Sequence, residues 1–227
     1  MRFPIKKVNK KDNQFPSLLK KLDDAPRRLY YQGSLLNEEE PAIAVVGTRK
    51  ATKKGLKIAQ EISFRLSKQG VAIISGLALG VDGAAHKGAL KANGKTVAVL
   101  AGGLGSVYPK KHKGLASRIL KEDGSLVSEH KKGVSPKPNY FLERNRIISG
   151  MALAVVIIEA PARSGTLSTA NHALRQGRDV FVLPGPADHP NYEGSHKLIR
   201  DGARLVRNAD DIVNDLDRYL NKGKFNF

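Results

Sequence analysis

Apolar and polar positions along this chain repeat with two different periods. From residue 42 onward, short continuous runs rich in Val, Ile and Ala occupy 42–46, 71–75, 96–101, 125–128, 154–159 and 179–183, with a weaker run at 203–206. Runs that are apolar throughout, in place of strict alternation, are what strands covered on both faces require. Between them the spacing changes to that of amphipathic helices. Over 52–69 the apolar stripe is Leu56, Ile58, Ala59, Ile62, Phe64 and Leu66, and Gly70 supplies the stop. Further helices are predicted at 81–92, 112–122, 141–150, 166–176 and 195–200, and a last one at 210–220 ahead of a polar, basic end expected to fray.

This alternation predicts an α/β fold: an extended Rossmann-like, doubly wound, mostly parallel sheet with helices on both faces. Ahead of it, Leu18, Leu19, Leu22, Leu29 and Tyr30 stand at roughly helical spacing, so 15–33 is predicted as a short helical or irregular preface. Glu38, Glu39, Glu40 and Pro41 form the expected linker. The expected organisation is a preface over 1–40, a Rossmann-like domain over 41–209, and a C-terminal helix and tail over 210–227.

At 227 residues, with 41% hydrophobic and 26% charged, the chain has ordinary globular usage and enough length for a sizeable core. The absence of Cys removes disulfides, thiolate metal sites and a Cys nucleophile. No signal-peptide pattern and no run of ~18 apolar residues is present, so a cytoplasmic protein without a membrane partner is expected. Charge changes the picture: 39 Lys and Arg against 21 Asp and Glu give a net +18. A field of that sign gathers polyanions. The competing reading is a solvated basic surface.

In an open parallel sheet, ligands bind beyond the carboxyl ends of the strands. There the sequence places Gly47 and Arg49 after the first run, Ser75, Gly76 and Gly80 after the second, and Gly102, Gly103 and Gly105 after the third, with Lys110 beyond. Arg163, Ser164, Gly165 and Thr166 follow the fifth. Glycines at such turns admit phosphate oxygens to backbone N–H groups, and helix N-termini and hydroxyls of Ser75, Ser164 and Thr166 add favourable contacts. The alternative is that each glycine serves only its own tight turn. Neither G-x-G-x-x-G nor Gly-Lys-Ser/Thr is present, so a dinucleotide dehydrogenase and a P-loop ATPase lack support and no cofactor is expected.

The segment KKGVSPKPNYFLERNRII over 131–148 combines Lys131, Lys132, Lys137, Arg144 and Arg146 with adjacent Tyr140 and Phe141. Cations that track a backbone beside rings on which bases stack are the equipment of single-strand binders. Phe141 has two readings: a core anchor of its helix, or an exposed ring in an irregular loop marked by Pro136, Pro138 and Asn139. The six His are scattered, and no metal site is expected. Asp82 and His86, at i and i+4, make either an acid/base pair or a capping and packing pair. Glu159 is either a general base or an acceptor for the glycine loops.

In order, AVVGTR, SGLALGVDGAAHKGAL, TVAVLAGGL, VYPKKHKGLA, GSLVSE, ERNRIISG, ARSGTLSTA, GRDVFVLPGP and GSHKLIRDGA resemble the DNA-processing protein A family (DprA, also called Smf), from about residue 15 to 206. The resemblance implies a non-enzymatic protein of natural transformation that binds incoming single-stranded DNA, protects it and loads the RecA recombinase. It implies DNA contacts at Arg49, Lys110, Arg178 and Phe141, a pocket shaped by Arg144, Asn145 and Arg146 beside the glycines, and a homodimer contact at His196, Ile199 and Leu205. Phe141-Leu142-Glu143 departs from the family's usual Phe-Pro-x before Arg-Asn-Arg. Many members add a sterile-alpha-motif-like and a winged-helix-like domain; by length, a stub of the first and none of the second is expected here.

Two other functions share the fold. Phosphoribohydrolases of the lysine-decarboxylase-like group use a Pro-Gly-Gly-x-Gly-Thr loop with a following Glu, whereas 100–105 and 163–166 lack that glutamate. A sensor of a small nucleotide in the same pocket is the third reading.

Overall fold

The structure, a computed structural model, describes residues 3–220; the polar end expected to fray lies outside the described residues. Among the described residues, nine strands make one sheet: β1 (Lys6–Asn9), β2 (Arg28–Gly33), β3 (Ala42–Val46), β4 (Ala72–Ser75), β5 (Thr96–Val99), β6 (Ser125–Ser128), β7 (Ala154–Ile157), β8 (Asp179–Val182) and β9 (Arg204–Leu205). The helices are α1 (Ser17–Lys20), α2 (Lys53–Lys68), α3 (Val81–Lys91), α4 (Lys113–Lys121), α5 (Pro138–Gly150), α6 (Gly165–Arg175), α7 (Glu193–Arg200) and α8 (Ala209–Leu220).

The spatial order is β1-β2-β6-β5-β4-β3-β7-β8-β9, and from β6 to β9 every pairing is parallel. β3 shows why its run is apolar throughout. Ala44 and Val46 join one core with Ile147 and Ile148 of α5 and Ala170 of α6. Ile43 and Val45 join a second with Ile62 of α2, Ala85 of α3 and Ile212 of α8. Successive strand residues face opposite sides, and helices cover both. This is the doubly wound architecture the sequence predicts.

The first forty residues differ from a helical preface. Among the described residues ahead of 41 only Ser17–Lys20 is helical, and β1 and β2 form an antiparallel hairpin whose second strand pairs with β6, Tyr30 opposite Ser128 and Gly33 opposite Ser125. In β2, Leu29 and Tyr31 are buried while Arg28 is exposed and Tyr30 half-buried, a period of two. Leu18, Leu19 and Leu22 in the connection blur that short alternation into an apparent helical spacing. Residues ahead of 41 therefore extend the sheet, and the expected linker is tied to it by Lys95, whose Nζ lies 3.0 Å from Glu40.

From β3 the chain winds outward through β4 and β5 to β6, then returns to β7 on the other side of β3. Where connections diverge in this way, loops leave a crevice beyond the carboxyl ends of the two strands. Among the described residues no helix is long and apolar enough to cross a membrane.

Candidate functional site

A pocket of about 490 Å³ opens beyond the carboxyl ends of β3 and β7. Gly47 and Arg49 enter it from the turn after β3, Asp82 from α3, Phe141, Arg144 and Asn145 from α5, and Gly165 and Thr166 from the start of α6. Ser164 caps α6, its hydroxyl accepting from the Thr166 N–H at 3.0 Å, so a helix N-terminus borders the space. Among the described residues nothing stands within 4 Å of where a Cβ on Gly165 would be. That open approach, at the positive end of a helix dipole, suits a phosphate.

Pro138 explains how α5 delivers its residues. It sits in the first turn, where a missing N–H leaves no helical bond unmade, so the helix starts three residues before the predicted 141. Of the two readings of Phe141, the irregular loop is not found: the ring is carried on a helix, as the pattern over 141–150 predicts. It is half-buried, with the Arg49 guanidinium 4.9 Å from its centre and Tyr108 meeting it edge-on at 5.8 Å. Arg49 and Tyr108 are themselves exposed. Tyr108 was not among the predicted site residues; an aromatic two positions before Lys110 was the signal available.

Beneath this rim lies a buried polar layer. Arg144 donates from Nη1 to the Gly76 carbonyl at 2.8 Å and to the Val99 carbonyl, while its Nε has no partner among the described residues. Burial pulls the guanidinium down to about 10, Asp82 opposes the shift, and Arg49 adds repulsion. Asp82 accepts from the Gly76 and Ala78 N–H groups at 3.1 and 3.3 Å. Its carboxyl is raised by burial, against the pull of Arg144 and those N–H bonds. Asn145 donates to the Gly165 carbonyl at 3.1 Å, fastening α5 to the start of α6.

Other predicted residues stand elsewhere. The Ser75 hydroxyl is fully buried and donates to the Val45 carbonyl at 2.7 Å. Gly76 lies under the Arg144 guanidinium, and Gly103 under the 131–134 loop, where its N–H donates to the Val134 carbonyl at 2.8 Å. The contacts of all three are made within the fold. Lys110 and Lys137 are exposed beside the pocket, the first two residues after Tyr108, the second capping α5. Arg146 leaves α5 on another side and pairs with Glu129 at 2.6 Å. Arg178 sits at the opposite end of the sheet, before β8, where Nη2 lies 3.1 Å from the Leu18 carbonyl and 3.3 Å from that of Gly150. His196, Ile199 and Leu205 lie on and beside the β9 edge, with His196 Nε2 3.1 Å from the Gly185 carbonyl.

The two catalytic readings resolve into packing. His86 is fully buried; its Nδ1 lies 2.8 Å from Thr96 Oγ1, whose hydroxyl donates to the Ile73 carbonyl at 2.7 Å, so the imidazole must donate through Nδ1. Burial holds the ring neutral, with a value lowered to about 3, far from that of a working base near pH 7. Glu159 is fully buried too, and accepts from the Thr52 N–H and hydroxyl, Asn191 and Tyr192 at 3.0, 2.5, 2.8 and 3.1 Å. Among the described residues, no group of His, Asp and Glu is arranged to hold a metal ion.

Known proteins share this sequence pattern and fold. Protein Smf of Escherichia coli is 44% identical over 206 residues, covering 90% of this chain and 55% of that protein, so the chain spans little more than half of that relative's length. The crystal structure of DNA processing protein A from Streptococcus pneumoniae superposes with a TM-score of 0.85 at 37% identity, over 100% of this chain and 75% of that one. DNA processing protein A from Helicobacter pylori, described for its single-stranded DNA binding mode, gives 0.83 at 28% identity over 96% and 97%. The family model for DNA recombination-mediator protein A matches residues 6–217. With that match spanning nearly all of the sheet and every segment that lines the pocket, the chain belongs to the DNA recombination-mediator protein A family.

Proposed function

We propose that this chain binds single-stranded DNA across the pocket between β3 and β7, one base stacking at Phe141 and backbone phosphates meeting Arg49, Lys110 and the N-terminus of α6. The observation that carries this reading is the Arg49 guanidinium held 4.9 Å from the Phe141 ring at the mouth of the pocket. A ring and a cation in one place serve a base and its phosphate together, with no readout of sequence. The Helicobacter pylori relative, described for binding single-stranded DNA, supports it.

In this proposal the chain works in the cytoplasm as a homodimer in natural transformation. It shields incoming strands and passes them to the RecA recombinase without turning over a substrate. The test is fluorescence anisotropy with single-stranded and duplex oligonucleotides across a salt series. Single strands should bind more tightly, with a log–log slope of about −0.7 per phosphate neutralised. Equal affinity for duplex overturns the proposal. Displacement by mononucleotides at similar concentration would make the pocket a nucleotide sensor instead, and release of free base would make it an enzyme.

A further inference from the structure

On another flank of α5 lies a second basic groove, of about 660 Å³, between the β1–β2 hairpin and the segment that follows β6. Arg27, Arg28, Lys131 and Arg146 line it with Tyr30 and His130, and Glu129 is the one acidic residue among its lining. Arg27, Arg28 and Lys131 are exposed. Arg146 is mostly buried; Nη2 is taken by Glu129, and Nη1 is buried with no partner among the described residues. An unpaired buried guanidinium donor is unfavourable unless something accepts from it, and a phosphate oxygen arriving in the groove would do so.

The groove is linked to the first pocket by two neighbouring rings near the start of α5. Phe141 meets Arg49 and Tyr108 on the pocket side. Tyr140 stacks on His130, a groove residue, with ring centres 4.1 Å apart, and carries Lys137 Nζ 5.7 Å from its own centre. Each ring thus comes with a cation, and each belongs to one flank. Phe141 and Arg146 are about 7.5 Å apart along the helix axis and about 140° apart around it, a span that a few nucleotides of an extended strand cover.

We infer that this groove is a second binding site for the phosphate backbone of the same single strand, so that a bound strand crosses the N-terminal end of α5 from the β3–β7 pocket to the hairpin. Glu129 stands in for phosphate on Arg146 while the groove is empty. The inference rests on the proposed single-strand binding and adds a path to it. It also assigns to Arg27 and Arg28, in a hairpin outside the Rossmann-like core, a part in holding DNA.

The experiment compares oligothymidylates of about two and about twenty nucleotides, the first too short to reach from the pocket to the groove and the second longer than typical single-strand site sizes. An Arg27→Gln/Arg28→Gln double variant removes two exposed cations. It should bind the short strand as the wild type does, bind the long strand roughly tenfold more weakly at moderate salt, and show a salt slope flatter by about 0.7 for each phosphate it no longer neutralises. Glu129→Gln, which removes the competing charge, should tighten the long strand and leave the short one unchanged. Unaltered long-strand binding in both variants overturns the inference, as does an equal weakening at both lengths, which would mark a general field effect. Should the long strand bind the wild type and Arg49→Ala alike while the double variant fails, the pocket reading falls and the groove stands. No binding of either length by the wild type sinks both.

Discussion

The Gly76 carbonyl accepts a hydrogen bond from Arg144 Nη1 at 2.8 Å, and a Cβ built on Gly76 would stand 2.5 Å from that same nitrogen. The glycine after β4 therefore lets α5 press an arginine against the backbone beneath the pocket, and the open space lies instead at Gly165, at the start of α6. Gly76→Ala should displace Arg144 and destabilise the fold by about 1–3 kcal/mol, as overpacking of a tight site does. Gly165→Ala, with nothing within 4 Å, should keep stability to within about 0.5 kcal/mol and weaken single-strand binding. Thermal melts and anisotropy on both variants check this. A stable Gly76→Ala, or a Gly165→Ala that binds as the wild type does, contradicts it.

Phe141 belongs to neither of the cores that sandwich β3, and its ring contacts are to exposed groups. Phe141→Ala should keep nearly all thermal stability and lose roughly 1–3 kcal/mol of single-strand affinity. A buried Phe would instead cost about 3–5 kcal/mol of folding stability. Arg49→Ala should weaken binding on its own. In a double-mutant cycle on the free protein, the pair should couple by about 0.5–1 kcal/mol, the range for an exposed cation over a ring. A large fall in melting temperature for Phe141→Ala would return the ring to the core.

The parallel sheet and its helices were legible in the sequence because their signals are local: an apolar run such as AIAVV in β3, a cap such as Thr52, a stop such as Gly70. What escaped was non-local. β2 is held by pairing with β6, about a hundred residues away, and five or six residues of alternation cannot announce a partner at that distance. The site divided along the same line. Gly47, Arg49 and Gly165 could be placed because a parallel sheet fixes which end of each strand carries the ligand. Which flank of α5 each of Arg144, Asn145 and Arg146 takes depends on neighbours from distant segments, and so does the diversion of Ser75 and Gly103 into packing.

His86 should make the fold sensitive to acid. Burial lowers its value from 6.5 to about 3, with His112 and Arg144 adding repulsion. A group whose folded value lies below its unfolded one contributes stability that is complete above pH 6.5 and is lost as pH falls through that window towards 3. His86→Asn keeps a donor able to reach Thr96 but does not titrate. The variant should therefore lose less melting temperature between pH 6.5 and 4 than the wild type. Parallel curves for the two proteins would show that His86 does not set the acid response.

Dimerisation should run through the β9 edge. Leu205 is 50% exposed on a two-residue strand that pairs with β8 on one side, while Ile199, on the helix before it, packs partly against the core. An edge strand that presents a large apolar side chain to water is a surface proteins ordinarily cover or blunt with charge. A two-fold partner would cover it with its own copy of the same patch. Leu205→Lys should leave the folded monomer intact, because the side chain is outside the cores, and shift sedimentation from dimer to monomer, with the melting temperature falling only by what association contributed. On the proposed single-strand binding, the two pockets of such a dimer should act together on a long strand, since the second engagement would form at the high local concentration set by the first. The monomeric variant should therefore lose affinity for a long oligonucleotide and keep that for a short one. A wild-type chain that sediments as a monomer at high concentration overturns this assignment, and a Leu205→Lys protein that still dimerises moves the interface elsewhere.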